Sequence, residues 1–398
     1  MYNICMFKKF FSNRIQNTPP SFIRESLKVI QNPEIISFAG GLPNPISFPQ
    51  EELKISMNRV ADKYGDKLYQ YSQTLGLKEL REFVISRFNK IHGTAFSIDN
   101  IMITTGSQQA LDLLGKVFIN EGDNVLIEKP SYLGFLQAFC LYSANFCPVK
   151  LNNDGLDIED LKRVVNRHKP KLAYLIPNFQ NPTGIMYSEE NRKEIFEVIK
   201  DEDLILVQDD PYGDLRFDGK SALAYIGVNQ TDKNIYLGSF SKIVTPGMRI
   251  GYVIAHNDII RMLETAKQAS DLHSNIFCQY ILADYLYNND LEKHINKIRG
   301  LYKSQASKMV ECMEKYFPDG IKYTVPSGGM FTWVTLKEGQ SALELFDKAV
   351  EKKVAFIPGN PFYINEKSVN TLRLNYTNAS EEKIEEGIKR LAQAILEL

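Results

Sequence analysis

The chain is short of the residues that build disulfide frameworks and metal sites. Its 398 residues include five cysteines and five histidines, all scattered, with no CxxC pair and no HExxH segment. An odd, dispersed set of cysteines argues against a disulfide framework and a zinc knuckle, and isolated histidines argue against the common helical zinc sites. We therefore expect a reduced, metal-free enzyme of the cytoplasm.

Long apolar runs and an excess of charge of one sign are also missing. No apolar run approaches the roughly 18 residues that a membrane-spanning helix needs, so we expect no membrane segment. The formal charge is −1, from 47 Lys+Arg against 48 Asp+Glu, which provides no basic field for nucleic acid. Lys8 and Lys9 are followed by no apolar core, so a signal peptide is not expected.

From about residue 100, short apolar runs alternate with longer amphipathic stretches. Residues 108–118 carry apolar side chains with i, i+3, i+4, i+7 spacing, which predicts a helix. Strands that alternate with helices predict a mostly parallel sheet covered on both faces. The runs that predict strands are 100–104, 124–127, 172–176, 204–207 and 235–237, and 189–199 predicts another helix.

The pattern changes near residue 286 and indicates a second, smaller domain. A long charged helix is predicted at 290–317, an apolar patch follows at 328–334, and a last helix is predicted at 380–398. This order is typical of an α+β domain. We therefore predict an N-terminal arm at 1–45 that joins the small domain, a large domain at 46–285 and the small domain at 286–398.

The most informative motif is SFSKIVTPGMRIG at 239–251, which follows a predicted buried strand. Lys242 lies between hydroxyl residues and could form a Schiff base if its amine is partly desolvated. The hydroxyls of Ser239 and Ser241 and the guanidinium of Arg249 suit a phosphate group. The alternative is a surface lysine in a serine-rich loop, and the complete motif disfavours it.

Three further polar segments follow predicted strands: TTGSQQ at 104–109, PNFQNPTG at 177–184 and QDDPYG at 208–213. Taken singly, the first could be a helix cap and the second a tight turn. The carboxyl ends of parallel strands meet at one edge of a sheet, where open α/β sheets bind ligands. Together the segments offer an anion site, an amine, an acid and hydrogen-bonding groups, which pyridoxal phosphate requires.

The order of the motifs GSQQ, PSY, QNPTG, DDPY, SFSK, PGxR and LRLN resembles the fold-type I, class I/II pyridoxal-phosphate-dependent aminotransferases over essentially the whole chain. The segments FAGGLPNP, YQYS, TGSQQALDL and ASDLH are similar to the 2-aminoadipate/kynurenine (LysN-type) branch. The resemblance implies an α/β fold with a mostly parallel central sheet flanked by helices and a smaller α+β domain. It also implies a homodimer with active sites at the interface.

The same resemblance implies the contacts of the cofactor. Lys242 would hold pyridoxal phosphate and then move the substrate proton, and Tyr132 would stack on the ring. Asp209, three residues before Tyr212, is matched to the acid on the ring nitrogen in preference to Asp210. The other implied cofactor contacts are Ser107, Gln108, Asn181, Tyr212, Ser239, Ser241 and Arg249, with Tyr71 reaching the phosphate of the neighbouring subunit.

Substrate contacts are implied as well. Arg373, in LRLN, is matched to the arginine that binds the α-carboxylate, and Arg24 to one that meets a distal carboxylate. Gly41 would line the mouth of the pocket, and Asn181 would also contact substrate. A histidine in a matched motif, His273, is expected to be structural.

These expectations describe a ping-pong transaminase that takes an amino acid and a 2-oxo acid, with 2-oxoglutarate as the expected acceptor. Glutamate and 2-aminoadipate are the first expected donors, and aromatic amino acids or kynurenine stay open as alternatives. A β-lyase with the same cofactor site is a further alternative. A transcription regulator with an aminotransferase-like domain is not expected, because GGLPNP begins at residue 40 and leaves no room for a DNA-binding domain before it.

Overall fold

The computed structural model describes residues 7–18, 32–220, 226, 232–366 and 369–398. The strands are β1 (Ile36–Ser37), β2 (Ile101–Thr104), β3 (Asn124–Lys129), β4 (Asn145–Asn152), β5 (Gly155–Leu156), β6 (Leu172–Leu175), β7 (Ile205–Asp210), β8 (Asn234–Ser239), β9 (Gly251–Ile254), β10 (Lys322–Tyr323), β11 (Phe331–Thr335), β12 (Val354–Ala355), β13 (Ile357–Pro358) and β14 (Thr371–Asn375). The helices are α1 (Asn13–Gln16), α2 (Gln50–Tyr64), α3 (Lys78–His92), α4 (Gly106–Phe118), α5 (Leu133–Cys140), α6 (Ile158–His168), α7 (Glu189–Ile199), α8 (Asn257–Gln268), α9 (Ile276–Asn288), α10 (Leu291–Tyr316), α11 (Ala342–Glu351) and α12 (Glu381–Leu396).

The central sheet has eight strands in the order β2-β9-β8-β7-β6-β3-β4-β5. The strands from β8 through β7, β6 and β3 to β4 are parallel, whereas β9 runs antiparallel to both of its neighbours. The prediction of a mostly parallel sheet flanked by helices is therefore confirmed. Because β8 and β9 are antiparallel neighbours, the Lys242 motif is the loop that joins them at the edge where the parallel strands end.

The strand before the acid pair is longer than its apolar residues predict. The predicted strand stops at residue 207, but β7 continues to Asp210 because Asp209 pairs with Leu237 and Asp210 with Gly238 in β8. Hydrogen bonding to a neighbouring strand does not depend on side-chain polarity, so hydropathy places the end too early. Both acids are therefore held in regular strand geometry.

The observed helix limits agree with the predicted limits more closely than the end of β7 does, because polar capping residues mark where the helices begin. Asp290 and Ser380 each accept a hydrogen bond from a backbone N–H in the first turn of α10 and α12. Ser188 caps α7 in the same way. Among the described helices, none combines the length and apolarity that crossing a bilayer requires.

A second sheet follows in the C-terminal part, with the antiparallel order β10-β11-β14-β13. The N-terminal strand β1 pairs in parallel with β12, so the segment after it is attached to this region. Phe331 on β11 pairs with Asn375 on β14, and Arg373 on the same strand pairs with Trp333. Arg373 and Phe331 thus come from neighbouring strands of the second sheet and face the loops of the first.

A glycine at the start of β9 allows this strand to pack closely against the start of α4. A Cβ atom on Gly251, at the start of β9, would lie 2.8 Å from backbone atoms of both Gly106 and Ser107. No side chain fits at that separation, so glycine allows β9 to pass directly beneath the start of α4. This close packing places the loop with Lys242, which ends at Gly251, against the first residues of α4.

Candidate active site

A cavity of about 210 Å³ opens where the strand-end loops meet β11 and β14. All of the predicted site residues that the structure describes, except Tyr71, line this cavity. They are Gly41, Ser107, Gln108, Tyr132, Asn181, Asp209, Tyr212, Ser239, Ser241, Lys242, Arg249 and Arg373. Phe331, Ile176, Pro211 and Pro246 complete the lining.

The amine of Lys242 lies inside the cavity, just past the end of β8. Its Nζ donates a hydrogen bond to the carbonyl oxygen of Gly41 at 2.8 Å. Burial, with the positive charges of Arg373 and Arg249, lowers the pKa of Lys242 to about 8. An amine with such a pKa is partly unprotonated near neutral pH, as a nucleophile or a proton carrier must be.

Of the two consecutive acids, Asp209 lines the cavity and has a carboxylate oxygen without a hydrogen-bond partner among the described residues, whereas Asp210 does not line it. Asp210 Oδ2 accepts hydrogen bonds from Asn178 and Tyr236, and its Oδ1 accepts one from the backbone N–H of Gly213. Asp209 is 2% exposed, and its Oδ1 has no hydrogen-bond partner among the described residues. Burial raises the pKa of Asp209 to about 7, as does the nearby Asp210 charge, while a hydrogen bond from Tyr174 lowers it.

The part of the cavity at the start of α4 is suited to binding an anion. Within the described residues, no side chain caps the start of α4, where Ser107 and Gln108 face the cavity, so its first N–H groups are available. The guanidinium of Arg249 lies against Gly106, where a Cβ atom would be 2.5 Å from Nη2. Helix start, hydroxyls and guanidinium together offer the donors that a phosphate accepts.

An ion pair between the buried Lys267 and the partly exposed Asp271 holds the start of α4, and the sequence motifs did not assign it a role. The fully buried Lys267 donates to Asp271 at 2.8 Å and to Gln109 Oε1 at 2.7 Å. The same oxygen of Gln109 accepts the backbone N–H of Thr105 at 2.8 Å. Asp271 lies within the ASDLH motif, and this motif was the only sequence feature that pointed to the ion pair.

The third region of the cavity is built around Arg373, which is 1% exposed. Its Nη1 donates to Asn181 Oδ1 and its Nη2 to the carbonyl oxygen of Ala39, both at 2.8 Å. The guanidinium lies over the Phe331 ring, 4.2 Å from its centroid. Asn181 in turn donates to the Tyr212 hydroxyl at 3.3 Å. Burial lowers the pKa of Arg373 to about 10, so the group stays cationic at neutral pH.

A second buried acid, also missed by the sequence motifs, fixes the turn that carries Asn181. Glu128 accepts hydrogen bonds from the Gln180 side chain, the Tyr187 hydroxyl and the backbone N–H of Ile176, at 2.8, 2.7 and 2.8 Å respectively. Gln180 Oε1 also accepts the backbone N–H of Thr183 at 2.9 Å. Burial raises the pKa of Glu128 to about 7.

One predicted residue, Tyr71, is described by the structure but does not line the cavity. Tyr71 is 80% exposed and meets the His273 ring edge-on, with 5.9 Å between centroids. Its contact with a neighbouring subunit stays a prediction. Arg24 lies outside the described residues. No group of three or more metal-ligating side chains occurs in the described part of the chain.

The chain matches the family model "Aminotransferase class I and II" over residues 48–391. The chain belongs to this family. It is 42% identical to Aromatic-amino-acid aminotransferase 1 of Thermococcus litoralis, over 98% of this chain and 95% of that one. Its structure is similar to that of a kynurenine aminotransferase of Pyrococcus horikoshii (TM-score 0.94, 43% identity, 99% and 98% covered). It is also similar to that of LysN, the α-aminoadipate aminotransferase of Thermus thermophilus, complexed with N-(5′-phosphopyridoxyl)-L-leucine (TM-score 0.92, 38% identity, 98% and 98% covered).

This protein is therefore a pyridoxal-phosphate-dependent aminotransferase. The cavity suits that cofactor on three independent observations. The unpartnered oxygen of Asp209 can accept a ring N–H, the amine of Lys242 faces the same space, and the open start of α4 can accept a phosphate.

Because the pKa of Asp209 is raised in the folded protein, this residue should make the free energy of unfolding depend on pH. A carboxyl whose pKa rises on folding holds its proton more tightly when folded, so the free energy of unfolding falls as pH rises from about 4 to about 7. Asparagine does not titrate. In Asp209→Asn, the stability of the cofactor-free protein relative to the wild type should rise over that pH range by on the order of 2–4 kcal/mol.

Urea unfolding at a series of pH values measures this difference. Asp319→Asn, at an exposed acid, is the control and should show no such rise. If the difference in stability between Asp209→Asn and the wild type did not change with pH, the raised pKa of Asp209 would be contradicted.

Proposed function

We propose that this aminotransferase transfers the amino group of 2-aminoadipate, glutamate or an aromatic amino acid to a 2-oxo acid, with 2-oxoglutarate as the acceptor, by a ping-pong mechanism. The observation that carries the proposal is the shared cavity of Lys242, Asp209 and Arg373. The relatives support the donor classes, since they are named as aromatic-amino-acid, kynurenine and α-aminoadipate aminotransferases.

When bound, pyridoxal phosphate supplies a carbonyl that condenses with amines and a ring that withdraws electrons. In our proposal Arg373 binds the α-carboxylate of the amino acid through its two terminal nitrogens. Its planar, donor-only group matches a carboxylate bidentately. Asn181 and the Phe331 ring already hold the guanidinium in place, so binding requires little reorganisation.

Lys242 then carries the proton of the reaction. Its Nζ accepts the proton from the α-carbon of the substrate and later returns one, which its lowered pKa of about 8 favours near neutral pH. Tyr132 would pack against the ring of the cofactor, and Tyr212 and Asn181 would donate hydrogen bonds to its ring oxygen. Asp209 would accept a hydrogen bond from the ring nitrogen. Ser107, Gln108, Ser239, Ser241 and Arg249 would hold the phosphate.

A dicarboxylic substrate needs a second cation. The positively charged side chains that line the cavity in the described part of the chain are Lys242, Arg249 and Arg373. We assign all three to the cofactor or the α-carboxylate. We therefore propose that Arg24 meets the distal carboxylate and that Gly41 borders the mouth. The aromatic rings of Tyr132, Tyr212 and Phe331 give an aromatic donor an apolar surface in the same cavity.

We also propose that the enzyme is a cytoplasmic homodimer with three parts: an arm at 1–45, a large domain at 46–285 and a small domain at 286–398. The exposed Tyr71 supports the dimer, because a tyrosine that reaches a neighbouring cofactor phosphate must project from its own subunit. The pairing of β1 with β12 supports attachment of the arm to the small domain.

Borohydride reduction tests the assignment of Lys242. Reduction of the yellow holoenzyme should abolish its visible absorbance band and fix the cofactor to Lys242, which peptide mass spectrometry locates. Lys267→Met, at a buried lysine outside the cavity, should still be labelled at Lys242. Labelling of any lysine other than Lys242 would overturn the assignment.

Substitution of Arg24 tests the substrate class. Arg24→Ala should lower kcat/KM for glutamate and 2-aminoadipate by about 30-fold to several hundred-fold, mainly through KM, because a charged pair in a partly buried site contributes on the order of 2–4 kcal/mol. The kcat/KM of the same variant for phenylalanine should fall only slightly. Arg373→Ala should weaken all donors alike, because every amino acid carries the α-carboxylate. Equal losses for acidic and aromatic donors in Arg24→Ala would refute the distal-carboxylate role.

A further inference from the structure

The carboxylate of Asp209 has two oxygens in different surroundings. Oδ2 accepts a hydrogen bond from the hydroxyl of Tyr174 at 2.8 Å. Oδ1 is buried without a partner among the described residues, and the carboxylate borders the cavity. A carboxylate held by one oxygen cannot rotate freely, so the direction of the other oxygen is set by the first.

Tyr174 is itself held rigidly. It lies on β6, next to β7, and is 0% exposed. Its ring stacks on Phe135 with 3.9 Å between centroids and 9° between planes. Phe135 belongs to α5, which begins directly after Tyr132. The hydroxyl of Tyr174 therefore has little freedom to leave Asp209.

We propose that Tyr174 is a positioning residue of the aminotransferase reaction. Its O–H fixes Oδ2 of Asp209 and favours the ionised carboxylate over the protonated one, so that Oδ1 is aimed at the ring nitrogen of the cofactor. The inference rests on the proposed role of Asp209 and extends it to a residue on the neighbouring strand. Tyr174 touches neither cofactor nor substrate, since it does not line the cavity.

Several titratable groups surround Asp209, and within the described part of the chain only Tyr174 donates a hydrogen bond to its side chain. Its hydroxyl donor is Tyr174, and the pKa of this tyrosine is raised well above the ordinary value by burial and by the charge of Asp209, so it keeps its proton at neutral pH. The other titratable or charged groups near Asp209 or on the same cavity are Asp210 on β7, Glu128 on β3, Tyr132 and Tyr212 in the loops, and Lys242, Arg249 and Arg373.

Tyr174→Phe tests the proposal because it keeps the stacked ring and removes only the hydroxyl. The matched control is Tyr187→Phe, which also removes a fully buried tyrosine–carboxylate hydrogen bond, to Glu128 Oε1 at 2.7 Å, but to an acid that does not line the cavity. Both variants should lose stability by similar amounts. Thermal unfolding of the cofactor-free proteins, followed by circular dichroism, measures this loss.

Cofactor binding separates the two variants. Titration of each cofactor-free protein with pyridoxal phosphate, followed by protein fluorescence, gives the dissociation constant at each pH. In Tyr174→Phe it should rise about tenfold, and the break in its pH dependence near 7 should move upward by about one pH unit, because a hydrogen bond that favours the ionised form is lost. In Tyr187→Phe both quantities should stay near the wild-type values, because Glu128 keeps the hydrogen bonds from the Gln180 side chain and the Ile176 N–H that hold the turn carrying Asn181.

Asp209→Asn distinguishes the two ways in which the account could fail. If Asp209→Asn weakens cofactor binding but Tyr174→Phe behaves like Tyr187→Phe, the positioning role of Tyr174 is overturned and the role of Asp209 stands. If Asp209→Asn leaves cofactor binding unchanged, the proposed role of Asp209 is wrong, and the inference about Tyr174 falls with it.

Discussion

Asp209, Lys242 and Arg373 share one cavity without forming an ion pair with one another. Asp209 is hydrogen-bonded by a tyrosine hydroxyl, Lys242 donates to a backbone carbonyl, and Arg373 donates to an amide and a carbonyl. Burial without an opposite charge disfavours the ionised form. It raises the pKa of the acid to about 7 and lowers those of the lysine and the arginine to about 8 and about 10. The chain thus gives up stability at its candidate active site.

The remainder of the structure keeps these groups apart and in place. Neutral partners hold each one: Tyr174 beside Asp209, the carbonyl of Gly41 beside Lys242, and Asn181 beside Arg373. Where full charges do pair, as Lys267 and Asp271 do beneath α4, they lie outside the cavity and stabilise a loop instead. In the proposed function, the cofactor and the substrate supply the partners of these cavity groups: a ring N–H, a phosphate and a carboxylate.

Sequence reasoning predicted the sheet and the loops of the cavity because each loop motif directly follows a short apolar run along the chain. It did not predict Tyr174 or Glu128, which look like ordinary core residues of buried strands. Their roles depend on which atoms face each other across neighbouring strands, and that register cannot be derived from a single sequence. The same reason explains why β7 continues past its apolar segment to Asp210. Lys267 was missed because a lysine in an amphipathic helix is normally solvated.

The most direct test is a crystal structure of the enzyme with pyridoxal phosphate bound. The account predicts that Asp209 Oδ1 lies about 2.8 Å from the ring nitrogen while Tyr174 keeps its hydrogen bond to Oδ2. The phosphate should meet the start of α4 and Arg249. A ring nitrogen that faces any other group, or a phosphate bound away from α4, would contradict the account.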